Sequence, residues 1–123
     1  MGKKVLIAED SSVIQNLTRK ILEQLRFEIT MVKNGQQVID KIKVEDFDLI
    51  LMDINMPVLD GIDCTQQIRA MNDQKKSRVP ILAITGNAKN YSLEEFKEAG
   101  INEYLPKPLD FDNLVKMVIR YTS

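Results

Sequence analysis

A chain of 123 residues is one domain's worth, enough to close a single hydrophobic core, and its 44% hydrophobic and 28% charged residues are the composition of an ordinary soluble globular protein. Its 17 Lys and Arg against 18 Asp and Glu leave a net charge of −1, which gives no electrostatic basis for binding nucleic acid or an anionic membrane. No apolar run approaches the roughly 20 residues of a membrane span. The basic start gives way to Val5-Leu6-Ile7-Ala8, which breaks at Glu9-Asp10, too soon for a signal peptide, so a cytoplasmic location is expected.

Short β-branched runs alternate with longer segments of helical period. Lys4 to Ala8 reads as a fully buried strand. Val13, Ile14, Leu17, Ile21, Leu22 and Leu25 then recur at helical spacing, with Ser11 or Ser12 as the cap. Phe27 to Val32 is a second strand, ended by the turn-like Asn34-Gly35, and Val38 and Ile42 mark a second helix. Asp48 to Met52 is a strand, Gly61 to Met71 a helix, and Pro80 to Ile84 a further strand. Ser92 and Glu95 form a capping box for a helix ending near Gly100. Glu103 to Leu105 is the last strand, and Phe111, Leu114, Val115, Val118 and Ile119 give the final helix its apolar face. Five βα units without repeat or linker predict a single doubly wound α/β domain over residues 1–123, a parallel sheet with helices on both faces. Periodicity does not choose between the Rossmann-like and flavodoxin-like strand orders.

The chain contains no histidine, which removes Ser-His-Asp and Cys-His nucleophile systems and His-ligated zinc together. The single cysteine, Cys64, forms no internal disulfide and is expected to be a small packing residue on a helix. Any chemistry must therefore use carboxylates, hydroxyls and lysine. In a doubly wound sheet ligands lie beyond the carboxyl ends of the strands. Strand one ends in Glu9-Asp10, strand three in Asp53, strand four in Thr85, and strand five leads to Lys107. Taken singly, each has an ordinary structural role as turn, cap or surface residue. Taken jointly, carboxylates crowded at one site repel one another unless a cation joins them. Oxygen-only ligands suit a hard ion, and Mg²⁺ held by one or two carboxylates and several waters fits best.

The run Leu49-Ile50-Leu51-Met52-Asp53-Ile54-Asn55-Met56-Pro57 with Asp60-Gly61, together with Glu9-Asp10, Thr85 and Lys107-Pro108, resembles the receiver domain of two-component response regulators over essentially the whole chain. The resemblance implies the flavodoxin-like strand order 2-1-3-4-5. It makes Asp53 the nucleophile that becomes an aspartyl phosphate. It assigns Mg²⁺ to Asp10 directly, to Glu9 through water, to Asp53, and to the backbone carbonyl of Asn55. Lys107 would pair with the phosphoryl oxygens and the Thr85 hydroxyl would bond one of them. Tyr104 falls at the aromatic switch position, and Lys107-Pro108 at a cis peptide. Asn55, Gly86 and Asn87 fall where side chains modulate access of water, Gly86 standing where alanine is usual and permitting a positive φ or a looser loop. Tyr91, Leu93 and Phe96 make residues 87–100, with the last strand and helix, a candidate output face.

The function implied is a phosphoacceptor that takes its phosphoryl group from a histidine kinase or histidine phosphotransfer protein and then regulates a protein effector. Such a chain catalyses its own phosphorylation and slow dephosphorylation without turning over a separate substrate. Two alternatives use the same residues. A haloacid-dehalogenase-like phosphatase also has a strand-end Asp nucleophile with Mg²⁺, but wants a second Asp where Asn55 stands. A catalytically silent receiver-fold binding module would leave the acids idle.

Overall fold

The computed structural model describes residues 2–54, 56, 58–86 and 93–123. Five strands, β1 (Lys4–Ala8), β2 (Glu28–Val32), β3 (Leu49–Asp53), β4 (Ile81–Thr85) and β5 (Glu103–Pro106), form one sheet in the order β2-β1-β3-β4-β5. All four neighbouring pairs are parallel. The helices are α1 (Ser12–Gln24), α2 (Gly35–Val44), α3 (Gly61–Arg69), α4 (Gln74–Ser77), α5 (Leu93–Ala99) and α6 (Phe111–Thr122). This is the flavodoxin-like order, with its switch point between β1 and β3.

Side chains alternate across the sheet, so each strand feeds two cores. Leu6, Ala8, Ile50, Met52, Ile81 and Ala83 pack with Val38, Ile39 and Ile42 of α2, Cys64 and Ile68 of α3 and Phe96 of α5. Val5, Ile7, Leu49, Leu51 and Leu82 pack on the other face with Leu22 of α1 and Leu114 and Val118 of α6. Strands β3 and β4 are buried along their whole length, whereas the edge strands β2 and β5 are only partly so. That difference explains why the central strands read as unbroken apolar runs.

The first helix departs from its periodicity. Val13, Leu17 and Leu25 are exposed at 70%, 46% and 45%, while Gln15, Thr18 and Leu22 are the residues buried. At 100° per residue the buried face is rotated by roughly 90° from the apolar stripe. Polar residues tolerate the interior because their groups find partners: Thr18 Oγ1 donates to the Ile14 carbonyl at 2.8 Å, and Gln15 bonds two strand-end carbonyls. Ile119 of α6 is likewise 49% exposed. Asn34 caps α2 by accepting from Gln37 N–H, rather than ending in a free turn. The short α4, capped by Asp73, has no apolar face and left no periodic signal. Ser11 is the cap of α1, whereas the proposed cap Ser92 of α5 lies outside the described residues.

Candidate functional site

Asp53 ends β3, the central strand, and β1 and β4 on either side end beside it through the pairs Ala8–Met52 and Asp53–Ile84. The chain leaves β3 on a constrained path, with Gly61 N–H donating to the Ile54 carbonyl at 3.0 Å. A Cβ on Gly61 would lie 2.9 Å from the Ile54 Cα, so only glycine lets α3 start this close to the strand end. Lys107 follows β5, and its backbone N–H donates to the Thr85 carbonyl at 2.8 Å, just beyond the last ladder pair. The Lys107–Pro108 peptide is cis, as the resemblance implied.

These paths bring the strand ends together. Lys107 Nζ donates to Asp53 Oδ2 at 3.0 Å and stands 3.8 Å from Glu9 Oε2. Carboxylate oxygens of Glu9, Asp10 and Asp53 all lie within 4.8 Å of one another. Glu9, Asp53 and Thr85 are each 2% exposed or less, whereas Asp10 faces solvent. Glu9 Oε1 accepts from Ser11 N–H at 3.0 Å, but its Oε2 is buried without a hydrogen-bond partner among the described residues.

Burial pushes the Glu9 carboxyl up to about 7, helped by the charge of Asp53 and opposed by the Ser11 N–H and by Lys107. Burial also works to lower the Lys107 ammonium, yet its hydrogen bond to Asp53 and the charges of Asp53, Glu9 and Asp10 prevail and hold it above the ordinary lysine value. The cluster is thus three carboxylates against one ammonium. This oxygen-only set, with a buried Glu9 Oε2 that takes no hydrogen bond among the described residues, suits a hard divalent ion.

Thr85 and Tyr104 share a face of the sheet. Tyr104 pairs with Ala83, and Thr85 is two residues further along β4, on the same side. Tyr104 is half-buried and packs on Phe96, with ring centroids 5.8 Å apart. Gly86 is exposed without a positive φ, so the conformational reading of that glycine is set aside. A Cβ there would meet the Lys107 side chain at 3.4 Å, an ordinary contact. Asn55, Asn87 and Tyr91 and the Leu93 side chain lie outside the described residues. Cys64 is buried, and burial pushes its thiol up to about 12, which suits a packing role. Sequence reasoning missed Gln15 altogether, because the burial of a glutamine leaves no mark in apolar periodicity.

One sheet edge thus gathers two acids, a strand-end Asp, a threonine and a lysine. Residues 5–119 match the response regulator receiver domain family, and the chain belongs to it. A hybrid signal transduction histidine kinase G of Dictyostelium discoideum is 40% identical over 120 residues, 96% of this chain but 4% of the kinase. Two further hybrid kinases of that organism are matched over only 6% and 5% of their length, so the likeness concerns a small part of each. Among solved structures, the receiver domain of a Pseudomonas aeruginosa sensor histidine kinase, with magnesium coordinated in its active-site cleft, has a TM-score of 0.88 and 36% identity, covering 99% of this chain and 98% of that one. The receiver domain of Saccharomyces cerevisiae Ssk1, solved with the histidine phosphotransfer protein Ypd1, has a TM-score of 0.89 and 29% identity, covering 98% and 89%.

Proposed function

We propose that residues 1–123 form one receiver domain in which Asp53 accepts a phosphoryl group from the phosphohistidine of a histidine kinase or histidine phosphotransfer protein. The observation that carries this reading is the Asp53 carboxylate, buried at the strand edge, 3.0 Å from Lys107 and clustered with Glu9 and Asp10. In the transfer an Asp53 carboxylate oxygen forms a bond to phosphorus, the phosphorus–nitrogen bond breaks, and the imidazole nitrogen keeps the electron pair and is protonated. Lys107 holds the phosphoryl oxygens, and the Thr85 hydroxyl bonds one of them. Glu9, Asp10 and Asp53 would hold Mg²⁺, which would supply charge neutralisation and in-line orientation. The donor is a separate group, since this sequence has no histidine.

Drawing Thr85 toward the phosphate opens space on the face it shares with Tyr104, whose ring then turns inward. Beside Tyr104 a groove of about 300 Å³, lined by Phe96, Lys97, Ile101, Asn102 and Glu103, is the natural place for an effector to sense the change. Tyr104 ring signals that fail to move with beryllofluoride would refute that coupling. No described helix is long and apolar enough to cross a membrane, and we place the domain in the cytoplasm. The comparisons give no support to the phosphatase alternative.

Incubation with Mg²⁺ and acetyl phosphate tests the reading. One hydroxylamine-labile phosphate per chain is expected, absent with chelator. Continuous release of phosphate from diverse esters would favour the phosphatase, and no modification under any condition would favour a silent module.

A further inference from the structure

Gln15 is 4% exposed, lies on α1, and has no task in the phosphoacceptor chemistry. Its Nε2 donates to two main-chain carbonyls, that of Glu9 at 3.2 Å and that of Val32 at 2.9 Å. Both lie where the β1–β2 ladder stops, since its last pair is Ala8–Val32. The Val32 carbonyl also takes the Glu9 N–H at 3.1 Å. A primary amide is the neutral side-chain group that offers two N–H donors from one atom. It answers both carbonyls without setting a positive charge against the neighbouring carboxylates.

The Glu9 carbonyl shares a rigid plane with the N–H and Cα of Asp10. Holding that oxygen therefore fixes the direction in which the chain turns out of β1, and with it where Asp10 stands. The Glu9 side chain is steadied separately by Ser11 N–H, so three bonds, two from α1 and its cap and one to β2, converge on one residue.

We propose that Gln15 is a positioning residue of the cation site: by tying the Glu9–Asp10 peptide to the end of β2, it places the Glu9 and Asp10 carboxylates opposite Asp53. It acts through those residues and does not touch the ion. The proposal rests on the reading of the acidic cluster as a Mg²⁺ site.

Mg²⁺ titration of the Gln15→Met variant, followed by calorimetry, tests it. Methionine keeps the length and much of the volume but donates nothing. The dissociation constant is expected to rise about tenfold or more, as for other groups that orient metal ligands. Val118→Ala, a cavity two turns along α6 from the site edge, supplies the destabilised control and should leave the constant within about twofold. Equal Mg²⁺ affinity in Gln15→Met and wild type would overturn the proposal, as would an equal loss in Val118→Ala. Should Gln15→Met not fold, the wild type still decides. Its Gln15 side-chain amide protons should exchange with solvent far more slowly than those of exposed Gln66 and Gln67, and should shift on adding Mg²⁺. Exchange as fast as at those two residues contradicts the inference. A wild type that binds no Mg²⁺ defeats the site reading itself, a result distinct from a wild type and variant that bind equally.

Discussion

Glu9 is a carboxylate held where ionisation is costly, and that has a measurable consequence in the absence of metal. Its folded value of about 7 lies above its ordinary 4.5, so the folded state keeps a proton that the unfolded state releases. The stability this supplies is complete below pH 4.5 and is lost as pH rises through 7, up to about 3 kcal/mol. With no histidine in the sequence to mask this window, denaturation in chelator should show stability declining between pH 5 and 8, and Glu9→Gln should flatten the decline. Mg²⁺ added at pH 8 should restore what was lost. Val58 carries a second residue-scale cost. Its φ of 72° is a left-handed conformation that a β-branched side chain adopts only under strain, and it is 80% exposed, with little packing to lose. Val58→Gly should raise stability by about 1 kcal/mol, read as a higher midpoint in urea.

At the scale of elements, α1 leaves part of its apolar stripe exposed, with Val13 three residues beyond Asp10 and Leu17 one turn further. A helical donor approaching the strand edge would meet this surface. Leu17→Lys should leave stability within about 0.5 kcal/mol and labelling by acetyl phosphate unchanged. It should slow transfer from a phosphohistidine protein about tenfold. Equal transfer by both proteins would remove α1 from the docking face. Arg69 ties other elements together. Its guanidinium donates to the carbonyls of Ser77, Val79 and Gly100 and to Asn102 Oδ1, all at 3.0 Å or less, joining α3 to the entry of β4 and the end of α5. Arg69→Met keeps the stem but orphans those acceptors, and should cost about 2–4 kcal/mol in chemical denaturation.

Across the whole molecule, what could be read in advance follows from what each signal measures. The central strands were legible because burial on both faces leaves only apolar residues, as in Leu49-Ile50-Leu51-Met52. The site was legible because the fold sends strand ends to one edge, so Glu9, Asp10, Asp53, Thr85 and Lys107 could be grouped although 98 positions separate the first from the last. The orientation of α1 was not legible, since Gln15 and Thr18 are buried through hydrogen bonds that composition does not record. Nor was α4, which is held by its Asp73 cap and by lysines that reach Asp46. The proposed function turns on one atom pair, an Asp53 oxygen bonded to phosphorus. Peptide mapping after incubation with Mg²⁺ and acetyl phosphate, with borohydride trapping of the acyl phosphate, locates that bond. The label should fall on Asp53 alone and vanish in Asp53→Asn. A label on any other residue, or one that survives Asp53→Asn at the wild-type level, would contradict the account.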